Sequence, residues 1–269
     1  GSASRPCGSF RLIMNVDLTA SSAAVVLPEL PSELWARVFS FADAKSLAIA
    51  SCICRAWRSE ALRVMERAVR EITIFSGVWG EPYDEKGKEW ESWPWKQAFI
   101  DMQRMPDLML VRVPKISIVA MGQLVKERRG VGYPFIWDRI VAQHGTQVDE
   151  PRWVLMTGDV LAGSRNQPYT EPKEMARRFE GYDVPTLREA IACIFARFLQ
   201  DGARHFGDNP WTYTRCQENM NSLQTVVGGF APAGLLVYNV LHFPHDEVGV
   251  AAMRKFQAGS AEDLGSGRL

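Results

Sequence analysis

Several kinds of protein are excluded by what this sequence lacks. Its 269 residues contain no apolar run of the roughly 18 residues needed to cross a bilayer, since glycine and proline interrupt the longest candidate, at 226–240. Basic residues are not in excess, because 31 Lys and Arg balance 31 Asp and Glu. Proteins whose main function is to bind nucleic acid usually carry an excess of basic residues. We therefore expect neither a membrane nor a nucleic acid among the partners.

Cysteine and histidine are also scarce. The five cysteines are an odd number without the spacing of a disulfide framework, which favours a reducing compartment. The four histidines form no HExxH pattern, and no CxxC is present. His242 and His245 flank Phe243 and Pro244, but without a third ligand we interpret this segment as loop packing. The sequence predicts no metal and no cofactor.

What the chain does contain is enough apolar material for a sizeable core, with 46 % hydrophobic and 23 % charged residues. Its composition changes along the chain and predicts five segments. These are a mobile leader at 1–24, a small helical unit at 25–70, a Trp-rich connecting segment at 71–106, an α+β domain at 107–256 and a flexible tail at 257–269.

The fold class expected from hydrophobic periodicity is α+β. We predict helices at 96–104, 123–129, 133–144, 173–179 and 186–203, the last being the clearest amphipathic pattern. We predict strands at 113–121, 152–157, 225–227, 235–240 and 248–253, with a turn at 228–234. The tryptophans of the connecting segment are expected to pack between two domains, although a peptide-binding platform is the alternative; they are Trp79, Trp90, Trp93 and Trp95.

One motif is specific. Leu-Pro-Ser-Glu-Leu at 30–34 is followed by Val-Phe-Ser-Phe at 38–41, Asp-Ala-Lys-Ser-Leu at 43–47 and Ile-Cys-Arg-Ala-Trp at 53–57. The order and spacing of these four pieces, within residues 27–68, resemble an F-box. One position departs from the family pattern, which usually has Leu where this chain has Ala42.

This resemblance implies a partner. Three short helices cannot bury enough apolar surface alone. An F-box solves this by packing on the adaptor subunit of an SCF-type cullin-RING ubiquitin ligase, which links it to the cullin. The alternative is that the same side chains fill an internal helical core. The positions that match the adaptor-facing residues of the family are Leu30, Pro31, Leu34, Val38, Leu47, Cys54 and Trp57.

The downstream region offers a weaker resemblance. Phrases at 153–160, 163–166, 209–217 and 225–234 are similar to uncharacterised F-box proteins of chlamydia-like bacteria. This implies a bacterial effector acting in the cytoplasm or nucleus of a eukaryotic host cell.

The expected function is substrate adaptor, with the α+β domain holding a target protein for ubiquitination. Polar and aromatic residues concentrate in two predicted loops, 159–166 and 209–215. Arg165, Trp211 and Tyr213 are of the types that anchor interfaces, so we predict that they bind the target. The competing interpretation is that Trp211 and Tyr213 are buried and only shape the fold.

Two other functions remain open. One is a cysteine-dependent hydrolase or transferase delivered to the ligase, with Cys216 as nucleophile, His205 as base and Asp159 or Asp208 as orienting group. No protease or deubiquitinase signature surrounds Cys216, and Cys193 is expected in the core. The other is an F-box scaffold without ligase function. We expect no catalytic residue, because an adaptor supplies proximity only.

Overall fold

The structure is a computed structural model that describes residues 73–74, 76–79, 95–105, 107–220 and 223–256. The predicted leader, the F-box-like motif and the predicted tail lie outside these residues. Within them, helices combine with two β-sheets, which confirms the expected α+β class. No helix in the described part of the chain has both the length and the apolarity needed to span a bilayer.

The first sheet has five strands in the order β1-β2-β4-β10-β5. All neighbours are antiparallel except β1 and β2. The strands are β1 (Thr73–Ile74), β2 (Leu108–Val113), β4 (Arg152–Thr157), β5 (Tyr182–Asp183) and β10 (Met253–Lys255).

The second sheet also has five strands, in the order β3-β8-β7-β6-β9. Its central strands form an antiparallel meander, and the two edge strands pair in parallel. The strands are β3 (Phe135–Ile136), β6 (Tyr213–Met220), β7 (Leu223–Ala231), β8 (Gly234–Leu241) and β9 (Val248–Gly249).

Five α-helices and one short 3-10 turn, Ser76–Trp79, complete the described elements. The helices are α1 (Trp95–Arg104), α2 (Ile118–Arg129), α3 (Asp138–His144), α4 (Thr170–Arg177) and α5 (Leu187–Asp201).

Helix α5 lies between the two sheets and is the centre of the main core. It contacts β2 and β4 on one side and β6 and β7 on the other, and twelve of its fifteen residues are buried. Its start is fixed by a capping box, in which the Thr186 side chain and Glu189 each bind the other's backbone N–H. Its end is fixed by Gly202, which adopts the left-handed conformation. The predicted helix at 186–203 is therefore confirmed, but it is buried on nearly every side rather than on one face.

The predicted strand at 113–121 is wrong. The strand there is β2, which ends at Val113, and the following apolar residues begin helix α2. The Ser117 hydroxyl accepts a hydrogen bond from the Ala120 N–H at 3.2 Å and caps that helix. A short apolar run does not distinguish a strand from a buried helical turn, so the cap decided the conformation.

The boundaries of several other elements also differ from the prediction. The predicted helix at 133–144 divides into β3 and α3, and the predicted strand at 248–253 divides into β9 and β10, which belong to different sheets. Gly228 and Gly229 lie inside β7, at a register irregularity, rather than in the turn. The sequence interpretation missed β6 as a strand. The strand at 152–157 is confirmed at both ends.

Candidate functional site

The two loops predicted to bind a target meet in the fold. The Arg165 side chain joins them, since its Nη2 donates to the Thr212 hydroxyl at 2.6 Å and its Nη1 donates to the Trp211 carbonyl at 3.3 Å. Asp159 lies 3.9 Å from the same guanidinium. The predicted polar loop and the predicted aromatic loop therefore form one surface.

A third loop, which the sequence analysis considered only as a pair of histidines, belongs to the same surface. The Asn166 N–H donates to the His245 carbonyl at 2.8 Å, and the Tyr213 N–H donates to the Glu247 carbonyl at 2.9 Å. We call residues 158–169, 207–212 and 241–247 together the three-loop surface. The sequence signal that could have found the third loop is an exposed aromatic, Phe243, followed by a proline.

Aromatic side chains at this surface divide into exposed and buried ones. Trp211 is 40 % exposed and Phe243 is 65 % exposed, whereas Tyr213 is only 4 % exposed. The Trp211 and Tyr213 rings stack with centroids 6.2 Å apart and planes within 5°. Trp211 is thus available to a partner and Tyr213 supports it from below. The burial of Tyr213 favours the competing interpretation that this residue shapes the fold.

Tyr213 belongs to a small core on the face of the second sheet that points away from α5. Its ring packs there with Tyr238, at a centroid distance of 5.3 Å, and with Val226, Val240 and Val248. Gly229 allows the ring to lie flat on β7, because a Cβ at that position would come within 2.3 Å of the Tyr213 hydroxyl oxygen. The exposed tryptophan therefore rests on a rigid base.

Beside Tyr213 on β6, Arg215 is fully buried. Its Nη2 donates to the Phe243 carbonyl at 2.9 Å, and its guanidinium lies 5.8 Å from the centre of the Tyr169 ring. Among the described residues, its Nε and Nη1 atoms have no hydrogen-bond partner. Burial lowers the pKa of Arg215 from its ordinary value. Arginine side chains in proteins nevertheless stay protonated at neutral pH. Sequence reasoning did not single out this arginine, because nothing in its spacing predicts burial.

A groove of about 450 Å³ adjoins the same surface along α4. Two carboxylates, a guanidinium and a thioether line it. Its lining residues are Gly163, Gln167, Thr170, Glu171, Glu174, Met175 and Arg178. Glu174 is already engaged with Arg177 at 3.5 Å. The groove widens the surface available to a partner but presents no distinctive chemistry.

The proposed thiol nucleophile is buried. Cys216 is fully buried within the main core, and burial raises the pKa of its thiol well above the ordinary value. The His205 Nδ1 atom contacts the Gly158 carbonyl at 2.8 Å. A buried thiol with a raised pKa is a poor nucleophile, which disfavours the cysteine-enzyme alternative. Cys193 is also fully buried, as expected.

Two further predictions concern metal sites and tryptophans. The described residues contain no group of three His, Cys, Asp or Glu side chains that could hold a metal ion. The His242 ring instead faces Tyr169, with centroids 6.0 Å apart. Trp79 is buried in the main core, whereas Trp90 and Trp93 lie outside the described residues.

Comparison with known proteins identifies one segment. Residues 27–64 match the F-box-like family model. This match supports a role as an F-box adaptor in ubiquitin ligase complexes and implies binding to an SCF adaptor subunit. The positions expected to contact that subunit lie outside the described residues; they are Leu30, Pro31, Leu34, Val38, Leu47, Cys54 and Trp57.

Comparisons with curated proteins and with solved structures give no match for the chain. The expected similarity of the downstream region to F-box proteins of chlamydia-like bacteria is therefore not supported.

Proposed function

We propose that this protein is a substrate adaptor of an SCF-type cullin-RING ubiquitin ligase. Its F-box-like segment docks on the adaptor subunit, which connects it to the cullin, and its α+β domain holds the protein to be ubiquitinated. The observation that carries the proposal is the F-box-like match at residues 27–64. The family resemblance implies a short apolar-faced unit that gains stability by burying that face on a partner.

Adaptor capture tests the first half of the proposal. Changing Pro31 and Trp57 together to alanine removes two of the apolar contacts that the family resemblance implies. We expect the double variant to lose capture of the adaptor subunit and the cullin from eukaryotic cells. Trp211→Ala is the matched control, because it truncates an exposed tryptophan of the α+β domain and should leave that capture intact. Capture of the adaptor by the double variant at the wild-type level would contradict the proposal.

The second half concerns the three-loop surface. Exposed aromatic side chains next to an arginine are the usual anchors of protein interfaces, and Trp211 is exposed beside Arg165. The exposed Phe243 lies on the 241–247 loop, which is bonded to the loop that carries Arg165. Loops held by a rigid sheet are also the usual place for recognition. These observations support the three-loop surface as the region that contacts the target.

Quantitative mass spectrometry of captured proteins tests this assignment. We expect Trp211→Ala to lose one subset of the proteins captured by the wild type while retaining the cullin. Phe135→Ala is the matched control, because it truncates another exposed aromatic residue, which lies on β3. If Trp211→Ala and Phe135→Ala lose the same proteins, or neither loses any, the target binds elsewhere.

The proposal also separates the adaptor from the alternative functions. A scaffold without ligase function would capture the adaptor subunit without the cullin, so the same experiment distinguishes the two. We place the activity in the cytoplasm or nucleus of a eukaryotic cell, because cullin-RING ligases act there. An effector delivered by a bacterium into a host would act in the same place.

A further inference from the structure

Arg215 has fewer partners than a buried arginine requires. Its side chain is completely shielded from solvent, yet only Nη2 is hydrogen-bonded, to a backbone carbonyl. None of the described carboxylates forms an ion pair with it, and Nε and Nη1 are left without acceptors. Buried polar atoms in folded proteins are almost always paired, so the two remaining donors of this buried guanidinium are available to an acceptor from outside the chain.

Arg188, which is buried, and Arg254, which is half-buried, show how other shielded arginines of the described residues are paired. Arg188, at the start of α5, forms an ion pair with Asp149 and also donates to the carbonyls of Pro114 and Ile116. Arg254 contacts the Asp101 carboxylate at 2.6 Å. A single bond to a loop carbonyl needs only one donor, so holding the loop does not account for the charge of Arg215.

Tyr169 covers the guanidinium but cannot neutralise it. Its ring lies 5.8 Å from the Arg215 carbon, and its hydroxyl points to the Cys216 carbonyl at 3.5 Å. Burial raises the pKa of Tyr169 to about 12, so its hydroxyl is neutral at physiological pH. Within the described part of the chain, the Arg215 charge is therefore without a counterion.

We propose that Arg215 is the binding site for a carboxylate group of the target protein, which reaches it when the 241–247 loop lifts. The proposal rests on the proposed function, because the target supplies the carboxylate. A guanidinium matches the planar geometry of a carboxylate and can donate two parallel hydrogen bonds to it. Six of the seven residues of this loop are exposed.

A carboxylate suits the site better than a phosphoryl group. Arg215 supplies one positive charge, and the neighbouring loops carry four acidic residues, Asp159, Asp208, Asp246 and Glu247. A dianion would leave one negative charge uncompensated among these carboxylates. Trp211 and Phe243 can then pack against apolar residues that flank the acidic group in the target.

The test follows the Arg215 Nε–H by nuclear magnetic resonance in the full chain labelled with ¹⁵N-arginine. The signal is assigned by its loss in Arg215→Lys, and sodium acetate is titrated against sodium chloride at matched ionic strength. We expect a saturable acetate-dependent shift, with inorganic phosphate at least several-fold weaker. Arg139→Lys is the matched control, because it changes an exposed arginine that also faces an aromatic ring, Trp137, but lies outside the three-loop surface, and it should leave the shift unchanged. No shift beyond that of chloride, or tighter binding of phosphate, would overturn the proposal.

A second variant guards against a folding defect in Arg215→Lys. Tyr169→Ala retains Arg215 and removes the ring that covers it, so the dissociation constant for acetate should fall several-fold. A constant equal to or higher than that of the wild type would contradict the role of Tyr169 as a cover.

Failure of this inference is distinguishable from failure of the proposed function. The titration uses the isolated chain, and Arg215→Lys should still capture the adaptor subunit and the cullin. It should lose the target proteins that Trp211→Ala loses. If Arg215→Lys binds no acetate but retains those proteins, the carboxylate does not come from the target.

Discussion

The sharpest stability prediction concerns Glu189, a charged residue with no solvent exposure in the first turn of α5. Its carboxylate contacts Arg152 Nε at 2.8 Å and Lys255 Nζ at 3.1 Å, and it accepts the Thr186 N–H at 2.9 Å. Burial alone would raise the pKa of Glu189. The charges of Lys255 and Arg152 and the hydrogen bonds from Thr186 outweigh this effect and hold the pKa below its usual value.

Glu189→Gln removes the negative charge while leaving an oxygen that can accept the Thr186 N–H. Removing one partner of a buried ion pair lowers the free energy of unfolding by about 3–5 kcal/mol. Here the loss should be smaller, about 2 kcal/mol, because Arg152 and Lys255 are 30 % and 36 % exposed and can turn to water. Equilibrium unfolding in urea measures it. With a slope of about 2 kcal/mol/M, the midpoint should fall by about 1 M.

The matched control is Glu150→Gln, which breaks an ion pair of 2.5 Å with Lys115 at an exposed position. Exposed pairs contribute about 0–1 kcal/mol, so this variant should unfold near the wild-type midpoint. Equal losses in the two variants would refute the argument from burial. The pKa of Glu189 is lower in the native state than in the unfolded state. Its contribution to folding stability is therefore present above the unfolded-state pKa and is lost as the pH falls through the native-state pKa. The gap between wild type and Glu189→Gln should therefore close in acid.

Two further predictions follow from burial and docking. In the native chain Cys193 and Cys216 should resist a thiol-reactive probe, and both should react after denaturation. Peptide mass spectrometry measures the labelling. Rapid modification of Cys216 in the native chain would instead support the cysteine-enzyme alternative. Saturating adaptor subunit should raise the melting temperature of the F-box-like segment, because a partner that binds only the native state stabilises it by mass action; an unchanged melting temperature would contradict docking.

Elements whose signals are local were predictable. Helix α5 has a capping threonine, a long apolar period and a terminal glycine, and the sequence located it within two residues. Strand β4 is a short apolar run bounded by Pro151 and Gly158, and its limits were predicted correctly. The F-box-like motif was found for the same reason, since its four pieces lie close together in the sequence.

Elements whose signals compete were mispredicted. Ile116 and Ile118 belong to an apolar run that is compatible with a buried strand and with a helix. Only the Ser117 side chain, which caps helix α2, distinguishes the two conformations. Strand β6 carries polar residues that include Thr214, Arg215 and Gln217, so its alternation did not indicate a strand. Its pairing with β7 and β9 overrides that weak local preference.

The candidate site shows the same division. The sequence by itself determined which residue types stand in the loops, and from these it predicted Arg165 and Trp211 as binding residues. Tertiary structure decided that the loops meet, because Arg165 and Thr212 are 47 residues apart and no local pattern encodes their contact. It also decided that Tyr213 is buried while Trp211 is exposed, and that Arg215 has no counterion among the described residues. Burial and pairing of a side chain depend on every element packed around it, and those elements come from distant parts of the chain.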